Sequence, residues 1–412
     1  MSLHGGARAQ ACCSPRNRMS PAGGRTGPRP LALHMATAAA VWGGAAAAAA
    51  AGPANAVFRH RDLAGEFSRL AADPEAVGQA ALRRLLAFQT AVERYCSHPY
   101  RRSAEARPVM ARSGAARLLS YGEGQRTALV VPSLINRYYV CDLSERRSFA
   151  RWLAARGWRA LLVDWGTPGD RERRLDCTGY IETILEPFAQ AAAEISDRPP
   201  VVVGYCMGGL LALALVLKAR IAFPGLALLA APWDFHSGGG SEARRLAFAG
   251  SVFSDMMAGS GEMPVDALQT CFYALDPMLT PRKFLAFGTL EAGSEEERAF
   301  VELEDWVNDG VPLAAPVARE CFAGWYGRNE PARGEWRIGG EPVRPEAATL
   351  PAWVVVPAGD RIVPPASALA LGRALPNATI RRPRLGHIGL MASRTAARRV
   401  WRPLLNWMNG LP

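Results

Sequence analysis

Cys206 lies in the run Gly-Tyr-Cys-Met-Gly-Gly at 204–209, a spacing typical of a reactive side chain at a sharp strand-to-helix turn. Glycines two before and two after the central residue are needed there, because strand and helix approach too closely for a Cβ atom. Apolar runs on either side predict the strand 200–204 and the helix 210–220. We therefore predict that Cys206 is a catalytic nucleophile. The alternative is an inert cysteine at an ordinary glycine-rich turn. A dinucleotide-binding turn is excluded, because the fingerprint G-x-G-x-x-G is not present here.

A cysteine nucleophile needs a base and a group that orients this base. In α/β-hydrolases the acid follows the nucleophile along the chain and the histidine comes last. His387 is the one histidine that follows Asp360, and Asp360 ends a predicted strand. The same turn predicts that the backbone N–H of Met207 is a donor of the oxyanion hole. Two alternatives stay open: Asp360 caps the next helix, and His387 is a surface-turn residue.

Apolar strands and helices alternate along the chain from residue 127 onward. Continuous apolar strands joined by helices of about a dozen residues are typical of a parallel sheet that is covered on both faces. The predicted strands are 127–134, 158–163, 200–204, 226–231, 353–356 and 379–382. The sequence thus predicts an α/β-hydrolase fold, built on a doubly wound and mostly parallel sheet.

The alternation stops between about residues 236 and 349, where helical, aromatic and loop character replaces it. An insertion of this size between two core strands is typical of a cap over an active site. We expect a low-complexity, largely disordered leader at 1–56 and a helical segment at 57–120. The catalytic domain follows at 121–412, with the mainly helical cap inside it.

The leader contains an alanine-rich stretch at 31–51, and the small residues 54–56 after it resemble a secretory cleavage site. The stretch begins deep in the chain, however, and alanine contributes little to membrane insertion. We therefore favour a cytoplasmic leader over a signal peptide. No later stretch reaches the roughly 20 apolar residues of a membrane span, so we expect none.

The net charge of +11 raises the question of nucleic-acid binding. Arginine supplies 46 of the 48 basic residues, and these arginines are scattered rather than clustered. We therefore expect no nucleic-acid partner, although a positive surface would attract anionic substrates such as CoA thioesters. The eight cysteines show no C-x-x-C spacing, which argues against a zinc site or a disulfide framework.

Five segments together resemble the polyhydroxyalkanoate synthases, in particular the shorter class III type. The glycine–cysteine box at 204–209 is one of them, and the acid and base segments around Asp360 and His387 are two more. The other segments are Pro-Ser-Leu-Ile-Asn-Arg-Tyr-Tyr at 132–139 and Leu-Val-Asp-Trp-Gly at 162–166. A cap stretch, Glu-Asp-Trp-Val-Asn-Asp at 304–309, also looks like the family. The resemblance covers about residues 125–410.

This resemblance implies an acyltransferase that moves a 3-hydroxyacyl group from CoA onto Cys206 and then polymerises it. His387 would activate Cys206 and then the hydroxyl of the next monomer, with Asp360 in support. The loop at 132–139 would supply the backbone of Tyr138 as a second oxyanion donor. The implied partners are acyl-CoA, the growing polyester, and either a second copy or a partner synthase subunit, at the surface of polyester granules. No metal or redox cofactor is implied.

Two other functions stay open. The same cysteine box and residue order occur in dienelactone hydrolases, so a capped thioesterase or esterase would fit the motif. The long separation of Cys206 from Asp360 exceeds what a minimal sheet needs and favours the synthase. A non-catalytic scaffold that binds granules or acidic partners is the third reading, and the complete set of Cys206, Asp360 and His387 argues against it.

Overall fold

An eight-stranded sheet forms the centre of the protein, in a computed structural model that describes residues 24–52, 62–63, 65–103, 105–196 and 198–412. The strands of this sheet are β1 (Val109–Ser113), β2 (Ala116–Tyr121), β3 (Arg126–Val131), β4 (Trp158–Asp164), β5 (Val201–Tyr205), β6 (Leu226–Leu229), β7 (Ala352–Val355) and β8 (Ala378–Arg381). Three two-stranded ribbons lie outside it, pairing 142–144 with 147–148, 262–263 with 313–314, and 337–338 with 341–342.

The strand order is β1-β2-β4-β3-β5-β6-β7-β8. From β4 to β8 all neighbouring strands are parallel, while β1 and β2 form an antiparallel hairpin at one edge and β2 pairs antiparallel with β4. Each of the six predicted strands is present within a few residues of its predicted bounds. The predicted α/β-hydrolase fold, with its mostly parallel sheet, is therefore confirmed.

Helices occupy most of the remaining described chain. They are α1 (Leu31–Ala50), α2 (Glu66–Leu70), α3 (Pro74–Ser97), α4 (Phe149–Ala154), α5 (Cys177–Tyr180), α6 (Glu186–Ile195), α7 (Met207–Lys218), α8 (Ser241–Val252), α9 (Ser254–Ser260), α10 (Val265–Tyr273), α11 (Leu279–Gly288), α12 (Glu295–Asn308), α13 (Ala315–Arg319), α14 (Pro365–Ala374), α15 (Gly389–Ala392) and α16 (Arg402–Asn409). Short π-helical turns extend three of these helices, at Ile181–Leu185, Glu320–Gly327 and Ala397–Trp401.

Both faces of the sheet are covered, which explains why its central strands are apolar at every position rather than at alternate ones. In β5 all five residues are buried. Val202 faces a core formed with α6, α7 and α14, whereas Val201 and Val203 face a second core formed with α4 and α16. The sheet is thus fixed between two helical layers, and the carboxyl ends of its parallel strands lie on one side.

The cap is the long insertion between β6 and β7, and it holds the predicted span 236–349. Its helices are α8 to α13, and two of the short ribbons lie among them. Helix α11 and helix α12 contribute Phe284, Phe287 and Val301 to a third hydrophobic core. The other buried residues are Met278 just before α11, Phe67 on α2 and residues of α1 and α3, so the cap and the N-terminal helices pack together.

Helix α1 lies within the region for which the sequence predicts a largely disordered leader. It instead buries Ala38, Trp42, Ala45 and Ala49, four positions spaced by three or four residues, against α3. This helix alone among the described ones is long and apolar enough to cross a membrane, a criterion that a packed helix or a signal sequence also meets. The sequence does not predict this packing, because an alanine-rich helix has no distinct apolar and polar faces.

The helical segment predicted at 57–120 needs a correction at its C-terminal end. Helix α3 ends at Ser97, and residues from Val109 form the β1–β2 hairpin, so the sheet begins before residue 121. Gly114 is the first residue of the two-residue connection and has a φ of +57°, as such tight turns require. The arginines in these two strands obscured the alternation of apolar and polar residues that predicts a strand. The glycine turn was the signal that could have revealed the hairpin.

The N-terminal strap (residues 24–34) includes the first turn of α1, and a buried arginine binds it to the cap. The Arg25 side chain is 9% exposed and pairs with both carboxylate oxygens of Asp305, at 2.5 and 2.8 Å. It also donates to the carbonyl oxygens of His98 and Tyr100. Its guanidinium lies 5.3 Å from the ring centroid of Tyr95. The carboxylate, the two carbonyl oxygens and the aromatic ring together offset the cost of burying this charge.

Replacing Arg25 by methionine leaves Asp305 without its cation, and we expect a loss of about 3 kcal/mol in the free energy of unfolding. The matched control is Asp266→Asn, which removes the partner of Arg29 from an exposed pair and costs less than about 1 kcal/mol. Urea unfolding of both variants measures the difference. Equal losses would show that the Arg25 clamp does not hold the strap.

Candidate active site

Cys206 stands at the turn between β5 and α7, at the carboxyl edge of the sheet. Its φ of +56° and ψ of −131° place it in a conformation that non-glycine residues rarely adopt. Its backbone N–H donates to the carbonyl oxygen of Leu229 on the next strand, at 2.9 Å. The neighbouring strand thus holds the strained residue in place, and the half-buried side chain lines a cavity. This is the geometry that the glycine–cysteine box predicts.

The glycines of the box are required by close approach of backbone to backbone. A Cβ atom on Gly204 would lie 2.5 Å from the Cα of Gly209. A Cβ on Gly208 would overlap the carbonyl oxygens of Val131 and Pro132 at the end of β3. Glycine at 204 therefore lets β5 and α7 pack at this distance, and glycine at 208 lets α7 approach the end of β3.

His387 and Asp360 meet beside the nucleophile, each on a loop at the same edge of the sheet. The imidazole Nδ1 lies 2.7 Å from Asp360 Oδ2, and both side chains are buried. Asp360 Oδ1 accepts from the backbone N–H groups of Ile362 and Val363, both at 2.9 Å. The carboxylate is therefore held by its own loop and orients the ring. Because Asp360 holds Nδ1, Nε2 is the ring nitrogen left to face Cys206, which is close enough to raise the pKa of His387.

The electrostatics of this pair favour a protonated imidazole. Burial by itself disfavours the charged ring, but the sulfur of Cys206 and the carboxylate of Asp360 outweigh it and raise the pKa of His387 to about 10. The Tyr205 ring packs beside His387 with 5.2 Å between the ring centroids, and its hydroxyl lies 3.4 Å from the His387 carbonyl oxygen. His387 can thus take the proton of Cys206 and keep it nearby.

Two other cysteines border the same cavity, and their surroundings differ from that of Cys206. Burial raises the pKa of Cys271 to about 11, and it raises the pKa of Cys321 well above its usual value. Both are therefore neutral thiols at pH 7, and the cavity has one cysteine paired with a histidine. The six cysteines in the described part of the chain are unpaired, whereas Cys12 and Cys13 lie outside it.

The structure places the two predicted oxyanion donors differently with respect to the cavity. Met207 is the first residue of α7 and lines the cavity beside Cys206, so its N–H points from a helix N-terminus. Tyr138 begins a short 3₁₀ turn, Tyr138–Cys141, and is not among the described residues that line the cavity. Its loop does reach the cavity through Ile135 and Asn136, and Asn136 has a φ of +66°. Tyr138 remains a prediction.

The cap segment 304–309 holds this loop in place. The indole N–H of Trp306 donates to the carbonyl oxygen of Arg137 at 2.8 Å. The Asp309 carboxylate pairs with the Arg137 side chain at 3.0 Å and accepts from the Tyr139 hydroxyl at 2.9 Å. The position of the loop next to Cys206 therefore depends on the cap. The sequence marked both segments but did not indicate that they touch.

A cavity of about 270 Å³ opens onto Cys206 and His387 and is lined mostly by apolar side chains from the core, the cap and the N-terminal strap. Its aromatic and aliphatic lining includes Phe235, Leu246, Leu268, Phe272, Leu313, Phe322, Trp325 and Ile362. Sequence reasoning missed two polar lining residues, His34 and Lys283, because nothing local relates a leader histidine to a cap lysine. Within the described residues, no group of three or more histidine, cysteine or acidic side chains could hold a metal ion.

Comparison with known proteins shows similarity at two levels. Residues 139–252 match the family model described as the alpha/beta hydrolase fold. The chain is 28% identical over 290 residues to a poly(3-hydroxyalkanoate) polymerase subunit PhaC of Synechocystis sp., a match that covers 68% of this chain and 77% of that protein. For the subunits of the same name from Haloferax mediterranei and Allochromatium vinosum, the identities are 25% and 27%. These matches cover 73% and 68% of this chain, and 63% and 80% of the relatives.

Substituting Gly208 by alanine should damage the elbow, because the added Cβ meets backbone that cannot move independently of β3. We expect a loss of about 2 kcal/mol in the free energy of unfolding and slower alkylation of Cys206 by iodoacetamide. Gly238→Ala is the control, since nothing lies within 4 Å of a Cβ there. Wild-type unfolding and alkylation in Gly208→Ala would contradict the close-approach argument.

The pKa of His387 should fall in Asp360→Asn and also in Cys206→Ala, because each removes a group that raises it. NMR titration of the ring measures this shift. Since the folded-state pKa lies above the unfolded value of about 6.5, protonation stabilises the fold fully below about that pH. The contribution is lost as the pH rises toward 10. Asp234→Asn is the control, because that carboxylate binds the backbone of His236 and the Asn329 amide instead.

Proposed function

We propose that this chain, an α/β-hydrolase superfamily protein related to the poly(3-hydroxyalkanoate) polymerases, polymerises 3-hydroxyacyl groups from their CoA thioesters and releases CoA. The observation that carries the proposal is that Cys206 and the Asp360-bound His387 line the same mostly apolar cavity. The named relatives supply the polymerase class. The roles of the individual residues follow from the geometry.

In the first half of the reaction, Cys206 Sγ attacks the thioester carbonyl carbon while His387 takes the thiol proton. The Met207 N–H faces the oxygen that becomes negative. The bond between this carbon and the CoA sulfur then breaks, and His387 returns the proton to the departing sulfur, so that free CoA leaves. The products are CoA and an acyl group bound to Cys206 as a thioester.

In the second half, the hydroxyl of a further 3-hydroxyacyl group attacks the acyl carbon on Cys206. His387 accepts the hydroxyl proton, an ester bond forms, and the carbon–sulfur bond to Cys206 breaks. The proton then passes to the sulfur and restores the thiol. Asp360 keeps the imidazole in the orientation and tautomer that both transfers need, since it binds Nδ1.

The cavity suits this chemistry because its small volume and mostly apolar lining favour an acyl group. Its volume of about 270 Å³ lies just below the range of roughly 300–1,000 Å³ typical of sites that enclose drug-sized ligands. We infer that the acyl group and the thiol end of CoA enter, while the nucleotide stays at the surface, where the net charge of +11 favours its phosphates. An apolar lining also offers few hydrogen-bond partners to water, which would otherwise hydrolyse the acyl-enzyme.

We place the protein in the cytoplasm, at the surface of the polyester that it makes. A second copy of the chain or a separate synthase subunit would be its protein partner. The support for these points comes from the hydrophobic product and from the relatives being named polymerase subunits. Neither nucleic acid nor a resident cofactor has a place in the proposed reaction.

Cys206→Ala should abolish CoA release from 3-hydroxybutyryl-CoA, because the other two cysteines that line the cavity in the described chain, Cys271 and Cys321, have raised pKa values and stay neutral thiols. A thiol-reactive dye that detects free CoA measures the rate. Cys96→Ala is the matched control, since Cys96 is half-buried and lies outside the cavity. Undiminished CoA release by Cys206→Ala would refute the nucleophile assignment.

The same incubation distinguishes polymerisation from hydrolysis. Organic extraction and mass spectrometry should recover a polyester from the wild-type protein. If free 3-hydroxybutyrate were the sole product, the chain would be a thioesterase that uses the same three residues, and the polymerase proposal would fall.

A further inference from the structure

A second, smaller cavity adjoins the cavity of Cys206. This side pocket has a volume of about 110 Å³, and helix α8 contributes to its lining. Half of the described residues that line it also line the cavity of Cys206. These shared residues include Phe235, Leu246, Tyr326, Ile362 and Val363. Because the same side chains face both spaces, a single layer of mostly apolar side chains separates the side pocket from the proposed acyl site.

The side pocket reaches the surface of the protein. Gly238, Ser241 and Arg245 belong to its lining, and all three are exposed. A Cβ atom on Gly238 or on the neighbouring Gly239 would meet no heavy atom of the described chain within 4 Å, so there is open space beside this part of the rim. The rim can therefore widen without displacing packed groups.

One face of helix α8 leads from the side pocket out to the solvent. Ser241 and Arg245 line the pocket, and Phe248 and Val252 follow them on the same face, at spacings of four, three and four residues. Phe248 is 71% exposed and Val252 is 60% exposed. Met256, on the next helix, is exposed as well. A group of large apolar side chains left in water at the edge of a pocket is typical of a binding surface.

The proposed reaction needs a second opening in the cavity. The polyester stays bound to Cys206 while it grows, so it must extend beyond a space of about 270 Å³. A new CoA thioester arrives in every cycle, and its nucleotide needs an opening of its own at the same time. In the described lining, the strap residues Pro28, Arg29 and His34 border the cavity but not the side pocket. The side pocket therefore occupies a different part of the cavity wall from the strap.

We infer that the side pocket is the exit of the growing polyester, and that the exposed face of α8 binds the chain as it emerges. The inference rests on the proposed function and assigns the route of its product. An aliphatic polyester suits this route, because its carbon chain can cover Phe248 and Val252 while its ester carbonyl oxygens accept hydrogen bonds from Arg245. The phosphates of CoA would meet an apolar surface beyond this one arginine and fit the route less well.

A photoreactive oligomer tests the route without any catalytic activity. A 3-hydroxybutyrate oligomer with an iodoacetyl group at one end and a diazirine at the other alkylates Cys206, and illumination then marks the residue that its far end reaches. Peptide mass spectrometry identifies this residue in adducts of Cys206, and Cys206→Ala is the control for labelling. As the oligomer is lengthened, we expect the mark to move from Phe235 and Tyr326 to Phe248 and Val252. Marks on the strap, or on any surface other than the α8 face, would overturn the inference.

The exposed apolar pair on α8 can be removed without touching the core. In the double variant Phe248→Ser with Val252→Ser, the fraction of long-oligomer adduct marked on α8 should fall about tenfold, because the chain loses its apolar contacts. The matched control is Leu82→Ser with Leu86→Ser, which removes an exposed apolar pair of the same spacing from α3. This control should leave the fraction unchanged. An equal fall in both double variants would overturn the role of the α8 face.

Ser241→Trp tests the exit during turnover, because it adds a large side chain at the mouth of the side pocket. We expect the polyester made from 3-hydroxybutyryl-CoA to be about tenfold shorter, as measured by size-exclusion chromatography. Ser254→Trp adds the same side chain at the start of α9, at a residue that is not among the described lining of either cavity, and should give the wild-type length. A wild-type length in Ser241→Trp would overturn the inference. Marks on α8 together with free 3-hydroxybutyrate as the sole product would instead remove the proposed polymerisation and leave the route supported.

Discussion

The close approach of β5 and α7 is the constraint on which the rest of the site depends. Gly204 allows this distance, because a Cβ there would meet the Cα of Gly209, and the connecting residue Cys206 turns with a positive φ. Cys206 is held there by the next strand, so the folding energy of the whole sheet maintains the local strain. The nucleophile is consequently presented at the helix N-terminus without any dedicated support from the cap.

The cap acts instead on the partners of the nucleophile. Its segment 304–309 binds the loop after β3 through Trp306 and Asp309, and it binds the N-terminal strap through Asp305 and Asn308. One short stretch of α12 therefore sets two walls of the cavity at once. A change in the packing of α12 would therefore alter both of these cavity walls.

Much of this site could be predicted from sequence because its signals are local. The glycine spacing around Cys206, the strand ends and the chain order of Asp360 and His387 each identify a structural position. The β1–β2 hairpin was missed because Arg112 and Arg117 interrupt its apolar pattern. The packing of α1 and the place of His34 in the cavity lining were missed for another reason: they depend on partners that lie far away in the chain and leave no periodic pattern. Tyr138 came from resemblance alone, and the geometry gives it no contact with the cavity.

The Arg25 clamp has a consequence for the order in which the protein is made. Arg25 and Asp305 are 280 positions apart, so the strap cannot close until the cap helix has left the ribosome. At the usual 5–20 residues per second this delay is on the order of 15–55 s. The elbow of Cys206 is synthesised well within that interval. During translation the Cys206 turn is therefore made before the cap residue that fastens the strap, while the strands β7 and β8 that complete the sheet follow Asp305 in the chain.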